Sequence, residues 1–244
     1  MSELSLVTSA EEAALAGYYR FWLLVDGPLE NAIAQDDGLT GLTACRIANA
    51  YSVARTFAGS EARKWDVVAQ HIHQLSEKWS SDRQFNAAQC IVTAMDLKNE
   101  LGGKPPYSGT TKLIWFLQPD GWTVYDRFAA EALIPSGGHG RRRVTDFYQE
   151  LGQRFDEISQ MIGSQITEVE PRLRPERIVD QMLVLRGMPR AMREARLQDI
   201  ENWLLCLPTA MRAQILAATH TIAPKLKAAL PNRFVSKPVK KVVT

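Results

Sequence analysis

The chain has 244 residues, 45% hydrophobic and 23% charged, with a formal net charge of +2. That is the composition of a soluble globular protein, long enough to bury a sizeable core as one large domain or two small ones. No apolar run approaches the length of a membrane span, there is no basic-then-apolar signal pattern, and Cys45, Cys90 and Cys206 are too isolated for a disulfide framework or metal cluster, so a reduced, cytoplasmic protein is expected.

Taken in chain order, the pattern is helical throughout. Ser9-Ala10-Glu11-Glu12 reads as a capping box, and the apolar residues after it recur at helical spacing through Val25, where Gly27-Pro28 is expected to end the helix. A second helix is predicted over 41–57. Ser60 opens a third through Trp65, Val68, Ile72 and Leu75, and Ser81 or Asp82 a fourth, through Phe85 to Leu97. Gly102-Gly103-Lys104-Pro105-Pro106 is a break. Beyond it, Ser108 to Thr111 lead into Lys112 at a helix start, LIWFLQ forms a short apolar helix, and Pro119-Asp120-Gly121 stops it. Asp126 opens the next helix. A glycine-rich basic loop follows, from Pro135 through His139 to Arg141, Arg142 and Arg143. Helices resume over 144–162, 175–185, 191–206 and 209–230. Alternation at a two-residue period is absent, and the fold class expected is all-α.

Charge is unevenly spread. Residues 1–40 carry seven acids and one strong base, residues 225–244 six bases and no acid, and residues 172–196 seven arginines against three acids. Such asymmetry fits either a polyanionic partner on one side of the molecule or a basic tail that aids solubility. Other chemistry finds little support. His71 and His73 sit two apart on a helix and face different ways, His139 and His220 lack ligand-spaced neighbours, and neither a P-loop, a dinucleotide fingerprint nor G-x-S-x-G occurs. No cofactor or metal is expected.

Lys112 and Asp126 remain. A lysine in a first helical turn would face the positive end of the helix dipole, an unfavourable placement that invites a functional reason. The bland alternatives are a solvated lysine and a carboxylate that only caps its helix, the latter stabilising by roughly 1 kcal/mol. Trp115 and Phe116 are assigned to the core. Tyr18, Tyr19, Phe21 and Trp22 fit core packing better than a base-stacking wall, given their helical spacing.

The segment 108–133 resembles the helix-hairpin-helix DNA glycosylases, in particular their 8-oxoguanine DNA glycosylase-like branch. Ser108-Gly109-Thr110-Thr111-Lys112 matches the end of the hairpin and the nucleophilic lysine, and Thr123-Val124-Tyr125-Asp126 the run that ends in the catalytic aspartate. The chain departs from the family in having Ser-Gly-Thr where two glycines flank an apolar residue, and in a lysine-to-aspartate spacing of only 14 residues. The four-cysteine iron–sulfur signature of another branch is absent.

The resemblance implies two helical subdomains flanking an active-site cleft, one spanning 61–135 with the hairpin-like segment 105–126, the other formed by 1–60 and 136–244. It implies a monomeric enzyme without cofactors that binds the DNA backbone and a flipped base, and cleaves an N-glycosidic bond to leave an abasic site. Lys112 and Asp126 would be catalytic. Ser108, Gly109, Thr110, Thr111, His139, Arg141, Arg142 and Arg143 would hold phosphates. The base could be a modified one in phage DNA, such as glucosylated hydroxymethylcytosine, removed in defence, or an oxidised purine removed with strand cleavage. A non-enzymatic helical DNA-binding protein and a helical protein-interaction module stay open as alternatives.

Overall fold

In the computed structural model, which describes residues 5–78, 86–134 and 140–230, every regular element is helical. Ser81, Asp82, the segment 135–139 with His139, and the basic tail beyond Leu230 lie outside the described residues. The all-α expectation holds among the rest.

Helix α1 (Ala10–Phe21) starts at the expected box: the Ser9 hydroxyl accepts from the Glu12 N–H at 3.2 Å, and the Glu12 carboxylate accepts from the Thr8 and Ser9 amides. Gly27-Pro28 does not end it. The chain passes through a π-helical turn, Trp22–Asp26, directly into α2 (Gly27–Gln35). A proline inside an α-helix lacks the N–H and strikes the carbonyl four residues back. The wider turn, closed by the Gly27 N–H donating to the Trp22 carbonyl, resets the register, so that Pro28 falls in a new first turn where its missing donor is not needed. Asp26, on that turn, is fully buried.

Helix α3 (Gly41–Ala50) is shorter than the expected 41–57: Tyr51 leaves helical geometry, Ser52 is left-handed at φ 56°, and a 3₁₀ turn occupies Ala54–Thr56. Helices α4 (Glu61–Lys78) and α5 (Ala87–Leu101) follow, the latter capped by Asn86. Then come α6 (Tyr107–Trp115), α7 (Arg127–Leu133), α8 (Gly140–Thr167), α9 (Pro175–Gly187), α10 (Arg190–Cys206) and α11 (Thr209–Ala229). Arg141, Arg142 and Arg143 belong to the first turn of α8 rather than to a loop.

Helices α3 to α6 pack on one another, α1 packs on α9, α10 and α11, and α8 lies against members of both groups. One continuous core joins them, including Tyr18, Ile72, Leu97, Phe147 and Ile166, with Trp115 and Phe116 inside it as expected. Each such buried side chain contributes roughly 1.5–3 kcal/mol. The most extensive pairing is α7 on α9. It depends on a missing side chain: a Cβ at Gly187, the last residue of α9, would sit 1.8 Å from the Phe128 carbonyl oxygen.

Gly187→Ala is therefore expected to destabilise the protein by about 3 kcal/mol or more, because backbone rather than a flexible side chain must give way. Gly152→Ala, mid-helix in α8 with nothing within 4 Å of the added carbon, is expected to gain up to about 1 kcal/mol. Urea unfolding of the two variants measures both.

Candidate active site

The structure corrects the position of Lys112. Helix α6 begins at Tyr107, directly after Pro105-Pro106, so Lys112 lies in its last turn, where a cation complements the negative end of the dipole. The run 108–111, polar and glycine-bearing, is helical because its faces have tertiary partners. Gly109 abuts Phe57 and Thr56 so closely that a Cβ would lie 2.4 Å from the Phe57 ring. Gly109, Thr110 and Thr111 are buried, and this corrects the expectation that they meet phosphate at a hairpin.

Their work is internal. Thr111 Oγ1 accepts from the Tyr125 N–H at 3.1 Å and donates to the Ser108 carbonyl at 3.2 Å. The Ser108 hydroxyl donates to the Tyr125 carbonyl at 3.1 Å. Lys112 Nζ donates to that same carbonyl and to Ser108 Oγ, each at 2.8 Å. Side chains at positions 108, 111 and 112, one helical face, thus grip both backbone groups of Tyr125. Farther back, the Tyr148 hydroxyl donates to the Thr123 carbonyl at 3.0 Å, and the Trp122 ring N–H donates to the Gln118 carbonyl. The extended segment 122–126 is held along its length, and it delivers Asp126 to the start of α7.

There Asp126 Oδ1 accepts from the Phe128 N–H at 2.8 Å as an N-cap, while Oδ2 lies 3.6 Å from Lys112 Nζ. The lysine is 3% exposed and the aspartate 29%, so the pair has a buried and an open member. Burial pushes the Lys112 ammonium below its ordinary value, against the pull of the Asp126 and Asp180 carboxylates and with the help of Arg177.

Both groups line a cleft of about 530 Å³, within the range of small-ligand sites. One wall is Lys112, Val124 and Asp126. The other comes from one stripe of α9, Arg177, Asp180, Gln181 and Val184, from Met188 just past its end, and from α10, with Met192, Arg196 and Asp199. Phe21 and Tyr51 complete it. Sequence reasoning missed this second wall. Its signal was the presence of Arg177 and Asp180 on the helical stripe that Val184 and Met188 continue, a pair of charges where apolar residues were due.

These charges are buried and bonded to each other. Arg177 donates to Asp180 Oδ2 at 2.6 Å and to the Tyr51 hydroxyl at 2.9 Å, and stands 3.7 Å from Asp26. Tyr51 in turn donates to Asp26 at 2.6 Å. Burial pushes the Asp180 carboxyl up to about 6, with Asp126 and Asp26 adding to the rise and Arg177 and Lys112 opposing it. Burial works against the Arg177 charge, but Tyr51, Asp180 and Asp26 outweigh it and hold the guanidinium above its usual range.

The remaining expected residues are more scattered. Arg141 and Arg142 are exposed, with Arg142 3.8 Å from Asp146, and Arg143 is half-buried near Tyr125, whose phenol its charge lowers against the larger upward effect of burial. A Cβ on Gly140 would be 3.8 Å from the Tyr107 ring, so α8 and its arginines begin beside the start of α6. Of the aromatic run, Tyr18, Tyr19 and Trp22 are in the core, whereas Phe21 lines the cleft. Among the described residues, no cluster of three His, Cys, Asp or Glu side chains is placed to hold a metal ion, and no helix is long and apolar enough to cross a membrane.

No family model, curated protein or solved structure matches the chain.

The Tyr125 grip makes a measurable distinction. Thr111→Val leaves a buried amide without its acceptor and is expected to cost about 1–3 kcal/mol. Lys112→Met removes a desolvated charge, the Tyr125 carbonyl keeps its bond from Ser108, and Asp126 keeps its capping bond and its access to water, so the loss is expected to be smaller than that of Thr111→Val. Urea denaturation compares them.

Proposed function

We propose that the protein is a DNA glycosylase that removes a modified or damaged base and leaves an abasic site. The observation that carries this reading is the pairing of a buried Lys112, its ammonium destabilised by desolvation, with Asp126, half-exposed at the mouth of the same cleft and fixed by its capping bond. Breaking the bond between a base and C1′ of the sugar puts positive charge on the sugar ring, and a fixed carboxylate stabilises that charge. An amine that has lost its proton can attack C1′ and pass on to a Schiff base, the route to strand cleavage. The apolar part of the cleft, from Phe21, Val124, Val184, Met188 and Met192, suits a base taken out of the stack. Exposed Arg141 and Arg142 would meet phosphates, as would His139 and the basic tail outside the described residues.

The altered Ser-Gly-Thr segment, with Gly109 and Thr110 buried where the glycosylases it resembles present a hairpin, argues for an atypical substrate. Modified bases of phage DNA, such as glucosylated hydroxymethylcytosine, are the class proposed, in a defence role. A protein that only bound DNA would have no use for a lysine buried beside a carboxylate, since phosphate contacts need exposed cations.

The test uses duplexes carrying glucosylated hydroxymethylcytosine or 8-oxoguanine, scored for free base, alkali-labile sites and borohydride-trapped adduct. The parent is expected to release base from one of them. Asp126→Asn is expected to lower release by about 10²-fold or more while DNA binding persists. Lys112→Met is expected to lose the trapped adduct. Because burial holds the Lys112 pKa below its ordinary value, trapping is expected to rise with pH, and to do so at lower pH than for an exposed lysine. Full activity in Asp126→Asn would overturn the assignment, and salt-sensitive binding without any base release would leave a DNA-binding protein.

A further inference from the structure

The chemistry above leaves the departing base without a proton and Asp180 without a task. Asp180 is 5% exposed, lines the cleft with Lys112 and Asp126, and has two unlike oxygens. Oδ2 accepts from Arg177 at 2.6 Å, and Oδ1 is buried with no hydrogen-bond partner among the described residues. A guanidinium has only donors, so any proton on Asp180 is confined to Oδ1. Arg177 is itself fixed by the Tyr51 hydroxyl at 2.9 Å, and Tyr51 by Asp26. The cluster sets at most two cations, Arg177 and, while it keeps its proton, Lys112, against three carboxyl groups, Asp26, Asp126 and Asp180. Neutrality inside the protein therefore requires a proton on at least one carboxyl; Asp26 Oδ2 and Asp180 Oδ1 are both buried without a hydrogen bond, and of the two residues Asp180 lines the cleft.

We infer that Asp180 is the general acid of the reaction, donating the Oδ1 proton to the departing base, while Asp126 remains the charged partner of the sugar. The inference rests on the glycosylase reading. As the C1′–N bond breaks, its electron pair goes to the base nitrogen, the Asp180 proton joins that nitrogen, and the base leaves neutral. Asp180 is left as a carboxylate against Arg177, which is already in place to receive it. Two carboxyl groups in one cleft, a carboxylate for the sugar and an acid for the base, is the arrangement that glycosidic cleavage calls for.

The groups that face Asp180 come from several elements: Arg177 on α9, Lys112 on α6, Asp126 ahead of α7, Asp26 in the π turn and Tyr148 on α8. With burial they place its titration at about 6, so the acid form is lost as pH rises through that value.

The experiment compares the parent, Asp180→Asn and Asp126→Asn in two assays. One is base release from duplexes carrying glucosylated hydroxymethylcytosine or 8-oxoguanine, and the other borohydride trapping on duplex that already holds an abasic site and so has no base to protonate. Asp180→Asn is expected to lose about 10²-fold or more in base release while trapping Lys112 on abasic DNA at close to the parent rate. Parental release is expected to fall as pH rises above about 6, a limb missing from the residual activity of Asp180→Asn. Undiminished base release in Asp180→Asn, or equal loss in both assays, would overturn the assignment, the second result marking Asp180 as structural. Should Asp180→Asn fail to fold, a parental profile flat between pH 5 and 7, about one unit either side of the Asp180 value, would overturn it alone. A parent inactive in both assays would instead sink the glycosylase reading and this inference with it.

Discussion

A lysine ammonium taken out of water must be given acceptors, and here the decisive acceptor is the backbone carbonyl of Tyr125. Lys112 and Ser108 both donate to it, and Thr111 takes the amide of the same residue. This small set of bonds fixes a non-helical segment that would otherwise have no partner for its peptide groups. It also decides where Asp126 stands, one residue on, and therefore where α7 begins. The residues that satisfy a buried charge are thus the ones that build the cleft edge. Stability and site geometry rest here on the same hydrogen bonds.

The opposite wall follows from the contact between α7 and α9. Because Gly187 lets the Phe128 carbonyl approach, α9 lies close enough for Arg177 and Asp180 to share the cleft with Lys112 and Asp126. Once there, each charge needs the others. Arg177 would be stranded without Asp180, Tyr51 and Asp26. Lys112 would lose acceptors if segment 122–126 moved. Asp26 enters this network through the π turn, which also solves the problem posed by Pro28. A backbone irregularity forced by a proline thus places a carboxyl that holds, at two removes, the residue facing Asp180.

Much of the fold was legible from periodicity and caps, and less of the site. Ser9 with Glu12 and the long apolar stripes specify helices by local rules. The apolar core positions Trp115 and Phe116 follow from the same period. Helical period tells which residues share a face but not which faces meet. For that reason Ser108, Gly109, Thr110 and Thr111 read as an exposed polar run, although Phe57, 52 residues earlier than Gly109, covers the glycine. The α1 to α2 passage was misread for a related reason: Gly-Pro ends an α-helix by local rules, and only a change of hydrogen-bond register lets it continue. Arg177 and Asp180 were visible as charges on an apolar stripe, yet their meaning depends on Tyr51 and Asp26, which are remote in sequence.

The charged floor of the cleft carries a functional argument of its own. Buried ion networks are costly, and replacing them with apolar side chains of similar volume is commonly neutral or stabilising by about 1–4 kcal/mol. Among the described residues, eleven α-helices share one continuous apolar core that does not include Arg177 or Asp180. Structural need would be met by leucine and methionine, which already flank them on α9. A floor of opposed charges, with an oxygen of Asp180 left unpaired, makes sense where a ligand completes it. The apolar rim can hold a flat ring and the charged floor can answer developing charge, which is the pair of features the proposed reaction would use.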